Sequence, residues 1–115
     1  MSQGLNKTTI IGYMGRDPET NGGQNGNSAT RFSVGVTERW RDRDDNGREQ
    51  TEWFRVVTFS GLGESCARFL SKGRRVYVEG RLRTRTFTNR RDEEQTVTEL
   101  QATTVIFLDG PREII

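Results

Sequence analysis

Apolar and polar residues alternate along much of this chain, the period of two that marks strands with one face turned inward. Five strands are predicted this way, at roughly 5–14, 30–40, 51–60, 74–88 and 95–108, each rich in β-branched or aromatic residues. Polar segments separate them. Residues 17–29 are Gly/Asn-rich and read as a loop. Residues 41–49 hold seven charges around Asn46-Gly47, a dipeptide that favours tight hairpin turns. Residues 89–95 form a third polar loop tip. One segment changes period: Leu62, Cys66, Phe69 and Leu70 in 62–72 fall at i, i+4, i+7 and i+8, one apolar helical stripe. Gly73 is its expected stop, with Lys72 in the last turn where a cation suits the helix dipole.

Three strands, a helix and two strands predict an all-β fold with one short helix. The order fits a five-stranded Greek-key barrel of the OB type, with its helix between strands 3 and 4. Face by face, Val76, Val78 and Leu82 are expected in the core. The odd positions opposite them are Tyr77, Glu79, Arg81, Arg83, Arg85 and Phe87. In 53–59 the odd face is Trp53, Arg55, Val57 and Phe59, and the even one Phe54, Val56 and Thr58. Trp40 closes the preceding strand and runs into Arg41 and Arg43. A single aromatic on a strand is ordinarily core, and an arginine stripe is ordinarily a solvated face. Arg81, Arg83 and Arg85 cannot share a core face with Phe87, because buried unpaired charge is costly. Phe87 is therefore expected outside, and Trp53 and Phe59 outside with Arg55. A β-bulge in these strands would reverse the parity.

At 115 residues the chain suits a single domain, expected at 1–110 with a short extension at 111–115. Only 30% of the residues are apolar. The core is lean, or some aromatics serve elsewhere. No apolar run approaches the ~20 residues that span a bilayer, and no membrane partner is expected. The net charge of +2 indicates little. More telling, sixteen of the eighteen basic residues are Arg, the exceptions being Lys7 and Lys72. Arg stacks on π-systems and forks onto phosphate. The acids are expected to concentrate away from the arginine-lined strands.

The absence of His removes His-based acid–base and nucleophilic chemistry and His-ligated metals. The lone Cys66 removes internal disulfides and Cys-clustered zinc, and reads as a small core residue. No cofactor, no metal and an intracellular location are expected. One catalytic route stays open: Asp42, Asp44 and Asp45 with Mg²⁺ could do phosphoryl chemistry, though they sit on a turn among Arg41, Arg43 and Arg48.

Aromatics spaced along neighbouring strands with arginines between them suit one ligand chemistry. Single-stranded nucleic acid exposes base faces and a charged backbone. Holding it without reading sequence takes aromatic platforms and cations that track the phosphates.

In order along the chain stand Asn6-Lys7, the run Gly12-Tyr13-Met14-Gly15-Arg16-Asp17-Pro18, Glu38-Arg39-Trp40-Arg41-Asp42, and Gln50-Thr51-Glu52-Trp53-Phe54-Arg55-Val56-Val57. Gly73, Val76-Tyr77-Val78-Glu79-Gly80 and Leu82-Arg83-Thr84-Arg85 follow. Over residues 1–108 this pattern resembles the bacterial single-stranded DNA-binding protein family. The resemblance implies an OB-fold core, a homotetramer and single-stranded DNA wrapped over aromatic and basic surface. It also implies a non-catalytic role in replication, recombination and repair, in the cytoplasm at the nucleoid.

Carried over by position, the resemblance puts base stacking on Trp40, Trp53, Phe59 and Phe87, the last where the family often has Trp. Phosphate contacts fall on Lys7, Arg41, Arg43, Arg55, Lys72, Arg83 and Arg85. Gly61 and Thr86 stand where relatives can have lysine, and Arg81, Arg90 and Arg91 could compensate. Phe54 replaces a His near the family's subunit interface. Family members continue into a flexible linker and an acidic tail that recruits partner proteins. This chain stops at Ile115, as a trimmed core or a short form, and if it is complete, tail-borne recruitment is not expected to carry over. The alternative is an OB-type primosome adaptor whose main ligand is another protein, which predicts weak DNA binding.

Overall fold

A computed structural model of the chain describes residues 3–21, 29–59 and 72–108. The predicted helix at 62–72 lies outside them except for Lys72, and Cys66 lies outside them too. Strands form where the alternation predicts: β1 (Thr8–Met14), β3 (Ala29–Arg41), β4 (Gly47–Phe59), β5 (Arg75–Thr88) and β6 (Glu94–Phe107). A sixth, β2 (Glu19–Asn21), falls within the expected 17–29 loop. Its three polar residues give no apolar signal. It is a strand because its backbone pairs with β3, Glu19 opposite Arg31 and Asn21 opposite Ala29.

The sheet runs β1-β5-β6-β4-β3-β2, and β1 also pairs with β3, which closes a five-stranded barrel. All pairings are antiparallel except β4 with β6. This is the OB arrangement, as expected. Closure brings β1 tight against β3 at Gly12, where a β-carbon would strike the Gly35 carbonyl.

The core collects the period-two positions of five strands: Ile10 and Met14, Phe32 and Val34, Val56, Val76 and Val78, Leu100 and Ala102. Each large member removed from water contributes roughly 1.5–3 kcal/mol. Buried Thr58 donates its hydroxyl to the Thr30 carbonyl across the β3–β4 pair at 3.2 Å, and the buried Thr30 hydroxyl meets that of Thr20 on β2 at 3.0 Å. Leu82 is not in this core. It is 41% exposed, because β5 outruns the barrel there while its alternation continues. Residues 5–7 are not strand either. Asn6 uses its side-chain amide as a substitute, donating to the Leu82 carbonyl at 2.9 Å and accepting from the Leu82 N–H at 3.0 Å.

A bulge does occur, but not in β5. Glu79 pairs with Thr104 and Gly80 with Ala102, so Thr103 of β6 is the extra residue. Its hydroxyl donates to the Glu79 carbonyl. The bulge switches the parity of β6, so that Leu100 and Ala102 on one side of it and Val105 and Phe107 on the other all face inward. β5 keeps its parity throughout.

Beyond the barrel, β3–β4 and β5–β6 project as two hairpin arms with the same turn. Asp45 N–H donates to the Asp42 carbonyl, and Asp92 N–H to the Asn89 carbonyl, both at 3.1 Å. Asp45 and Asp92 take φ of 62° and 61°. Each is a three-residue loop closing on a left-handed residue. Asn46-Gly47 therefore lies beside the turn, and the left-handed position falls on Asp45. Gly73 is left-handed as well, at φ 87°.

Candidate nucleic-acid interface

One register row crosses the outer surface. Glu19, Arg31, Val57, Gln101 and Arg81 are successive cross-strand neighbours on β2, β3, β4, β6 and β5. Neighbours in a row share a face, and so do residues two apart along a strand. Trp53, Arg55 and Phe59 on β4 therefore share one outer face with Arg81, Arg83, Arg85 and Phe87 on β5. That face carries three of the four aromatics singled out from the sequence. Trp53 is 58% exposed, Phe59 46% and Phe87 37%, so each offers ring surface to a ligand.

The seat of Trp53 is built by glycine. Its benzo end packs against Gly15 and Gly35, with Cζ3 2.6 Å and 2.9 Å from where their β-carbons would stand. A side chain at either position would displace the indole. Phe87 is covered on one side by Arg85, whose guanidinium carbon lies 4.9 Å from the ring centroid.

Trp40 stands apart. It pairs with Arg48, so it belongs to the opposite face of the β3–β4 ribbon from Trp53. It is 46% exposed, in a hollow lined by Arg39, Arg41, Gly47, Arg48 and Glu49. Arg41 pairs with Asp45 at 3.1 Å, and Arg43 is exposed in the turn. Lys7 lies at the β1 end, its ammonium 2.8 Å from Glu79. The hydrogen bond with Glu79 raises the Lys7 pKa, and the same bond lowers that of Glu79. Lys72 is exposed just before β5, and its backbone N–H donates to Asp17. The structure thus gathers Trp53, Arg55, Phe59, Arg81, Arg83, Arg85 and Phe87, and leaves Trp40, Arg41, Arg43, Lys7 and Lys72 at its margins.

Sequence reasoning missed Glu99 and Arg31. Against expectation, an acid sits within the arginine-rich face and is buried there, 5% exposed. Glu99 Oε1 accepts from Arg85 Nε at 3.1 Å and Oε2 from Arg31 Nε at 3.0 Å. Burial alone would raise the Glu99 pKa. The hydrogen bonds from Arg85 and Arg31 outweigh it and hold the carboxyl below its usual range. The three side chains line a groove with Arg16, Ser33 and Arg55. No local pattern marks it, since its partners stand 68 and 14 residues away along the chain.

Among the described residues no group of three His, Cys, Asp or Glu could hold a metal, and no helix is long and apolar enough to cross a membrane. Asp42 is engaged in its turn. Its Oδ1 accepts the N–H groups of Asp44 and Asn46, and its Oδ2 pairs with Arg48 at 2.8 Å. These bonds lower its pKa, the backbone bond to Asn46 most.

Fold and face together define an OB-type barrel with an aromatic and cationic outer surface. The chain belongs to the single-strand binding protein family, whose profile matches residues 5–108. It is 38% identical over 109 residues to single-stranded DNA-binding protein 1 of Chlorobaculum tepidum, covering 95% of this chain and 65% of that protein. It is 42% identical over 113 residues to the single-stranded DNA-binding protein of Xanthomonas axonopodis pv. citri, covering 98% and 63%. The chain thus spans less than two thirds of these relatives. Among solved structures it resembles a Plasmodium falciparum SSB complex with ssDNA, with a TM-score of 0.83 and 32% identity over 95% of this chain and 99% of that one.

Proposed function

We propose that this chain binds single-stranded DNA without sequence preference and without catalysis. The observation that carries this reading is the shared outer face of Trp53, Phe59 and Phe87 with Arg55, Arg81, Arg83 and Arg85. Exposed rings take bases of any identity, each stacked base being worth roughly 1–3 kcal/mol. The arginines take phosphates, and the counterions they release make binding salt-dependent. Trp40, Arg41 and Arg43 at the β3–β4 tip, with Lys7 and Lys72, extend the path beyond the central face. Kinship with proteins named for this ligand supports the same reading. Such a protein protects exposed strands during replication, recombination and repair, in the cytoplasm at the nucleoid.

We further propose a homotetramer. Ile11, Tyr77 and Ile106 form an apolar row on the outside of β1, β5 and β6, with Ile11 44% and Ile106 49% exposed. β1 pairs with β3 at Tyr13 and Met14 and packs against it at Gly12, so Thr8–Ile11 presents an edge beside that row. A second copy would cover both.

The experiment is a titration with oligo-dT at several salt concentrations, alongside light scattering. Quenching of tryptophan fluorescence and affinity that falls as salt rises are expected. No quenching at low salt overturns the DNA reading, and a monomer at micromolar concentration overturns the tetramer.

A further inference from the structure

Glu99 presents a physical problem. A buried carboxylate on a face that would meet phosphate repels the ligand and carries a desolvation penalty. One arginine would neutralise it, yet it engages two from different strands. Both bonds use Nε. Among the described residues, the terminal nitrogens of neither Arg31 nor Arg85 have a hydrogen-bond partner. Each guanidinium is thus hydrogen-bonded through Nε, Arg85 also lying over the Phe87 ring, and both stay partly exposed, with side-chain exposures of 32% and 43%. They line one groove, with Arg16 and Arg55 alongside and the carboxylates of Asp17 and Glu19 also on its wall, so its four arginines outnumber its three acids by one. Trp53 lies two residues from Arg55 and Phe87 two from Arg85, on the same face as the groove.

We propose that Arg31 and Arg85, oriented by Glu99, form a two-pronged seat for one phosphodiester of a bound strand. Arg31 is a phosphate-binding residue, and Glu99 is a positioning residue that acts through both arginines. The triad carries one net positive charge, and each free fork can give paired N–H groups to phosphate oxygens. Holding the forks before the ligand arrives reduces the ordering that binding demands. Arg83, the cross-strand neighbour of Glu99, lies on the same face and adds positive field. The seat rests on the single-stranded DNA reading.

The test is the slope of log affinity for oligo-dT against log salt, in the full chain and its variants. For single strands the slope changes by about 0.7 for each phosphate contact. Arg31→Gln is expected to make it shallower by about that amount. Glu99→Gln is expected to weaken binding and make the slope shallower, and to add no further change when Arg31→Gln and Arg85→Gln are already present. Glu99→Asp is expected to recover part of the loss. Tighter binding with a steeper slope in Glu99→Gln would overturn the proposal, showing a carboxylate that only competes with phosphate. An unchanged slope in Arg31→Gln would overturn it too. If Glu99→Gln fails to fold, Arg31→Lys decides. It keeps the charge but loses Nε and the fork, so wild-type affinity and slope there would overturn the seat, and a loss matching Arg31→Gln would support it. Failure of the wild-type chain to bind would instead overturn the broader reading.

Discussion

Trp53 rests on Gly35, with Cζ3 and Cη2 each 2.9 Å from the place a β-carbon on that glycine would occupy. Thr51 Cγ2 is 3.1 Å from the same point. Gly35→Val should therefore lift the indole from its bed. Oligo-dT binding is expected to weaken by up to roughly 1–3 kcal/mol, the range for one lost stacking platform. Fluorescence titration in a Trp40→Phe background isolates Trp53, and a thermal melt checks that the barrel persists.

Trp53→Ala and Phe32→Ala should separate surface from core. Trp53 is 58% exposed, whereas Phe32 is 5% exposed within the buried cluster. Trp53→Ala is expected to weaken DNA binding by roughly 1–3 kcal/mol while leaving the urea midpoint near that of the parent. Phe32→Ala is expected to lower stability by about 3–5 kcal/mol. Urea melts of the two variants measure this contrast.

Glu99 should make the fold sensitive to acid. Its folded-state pKa lies below the ordinary 4.5, since the bonds from Arg85 and Arg31 overcome burial. The paired carboxylate therefore stabilises the fold above about pH 4.5. That contribution fades as the pH falls through the lower folded value. Stability measured by urea melts should drop on acidification from pH 5 to pH 3, and Glu99→Gln should flatten part of that slope.

The turns offer a reversal of sign. Asp45 is left-handed at φ 62°, which glycine adopts without strain. Asp45→Gly is expected to be neutral to stabilising, by up to about 1 kcal/mol. Asp42→Ala is expected to lower the melting temperature, because the Asp42 carboxylate holds two backbone N–H groups and Arg48. Calorimetry on the two variants reads the difference.

Ile11→Glu places a charge in the apolar row with Tyr77 and Ile106. It is expected to shift the assembly toward smaller species. Light scattering against the parent chain measures it.

Much of the architecture was legible because alternation is a local signal. β5 could be read face by face because its parity holds along the whole strand, the bulge lying at Thr103 on its neighbour. Leu82 was misread because alternation reports which way a side chain points, and not where the layer covering it ends. β2 carries no pattern at all, since Glu-Thr-Asn is a strand only through its pairing with β3. The outer face was legible from like residues at like parity. Glu99 was not, because its partners stand 68 and 14 residues away, and only the closed barrel brings Arg31 and Arg85 to one carboxylate.

The barrel is joined unevenly. β3 pairs with β4 from Ala29 to Arg41, and β5 with β6 from Val76 to Thr88. Among the described residues the ladders between these are short: β4 pairs with β6 at Val56 and Val57, and β1 with β3 at Tyr13 and Met14, with the Gly15 N–H donating to the Ser33 carbonyl just beyond. Mechanically the molecule is two stiff levers on two short hinges. A strand pulled taut across both arms would load the hinges first, and the Arg31–Glu99–Arg85 clasp spans the gap between the levers. Tension on a bound strand would then be felt where the phosphate seat is held together.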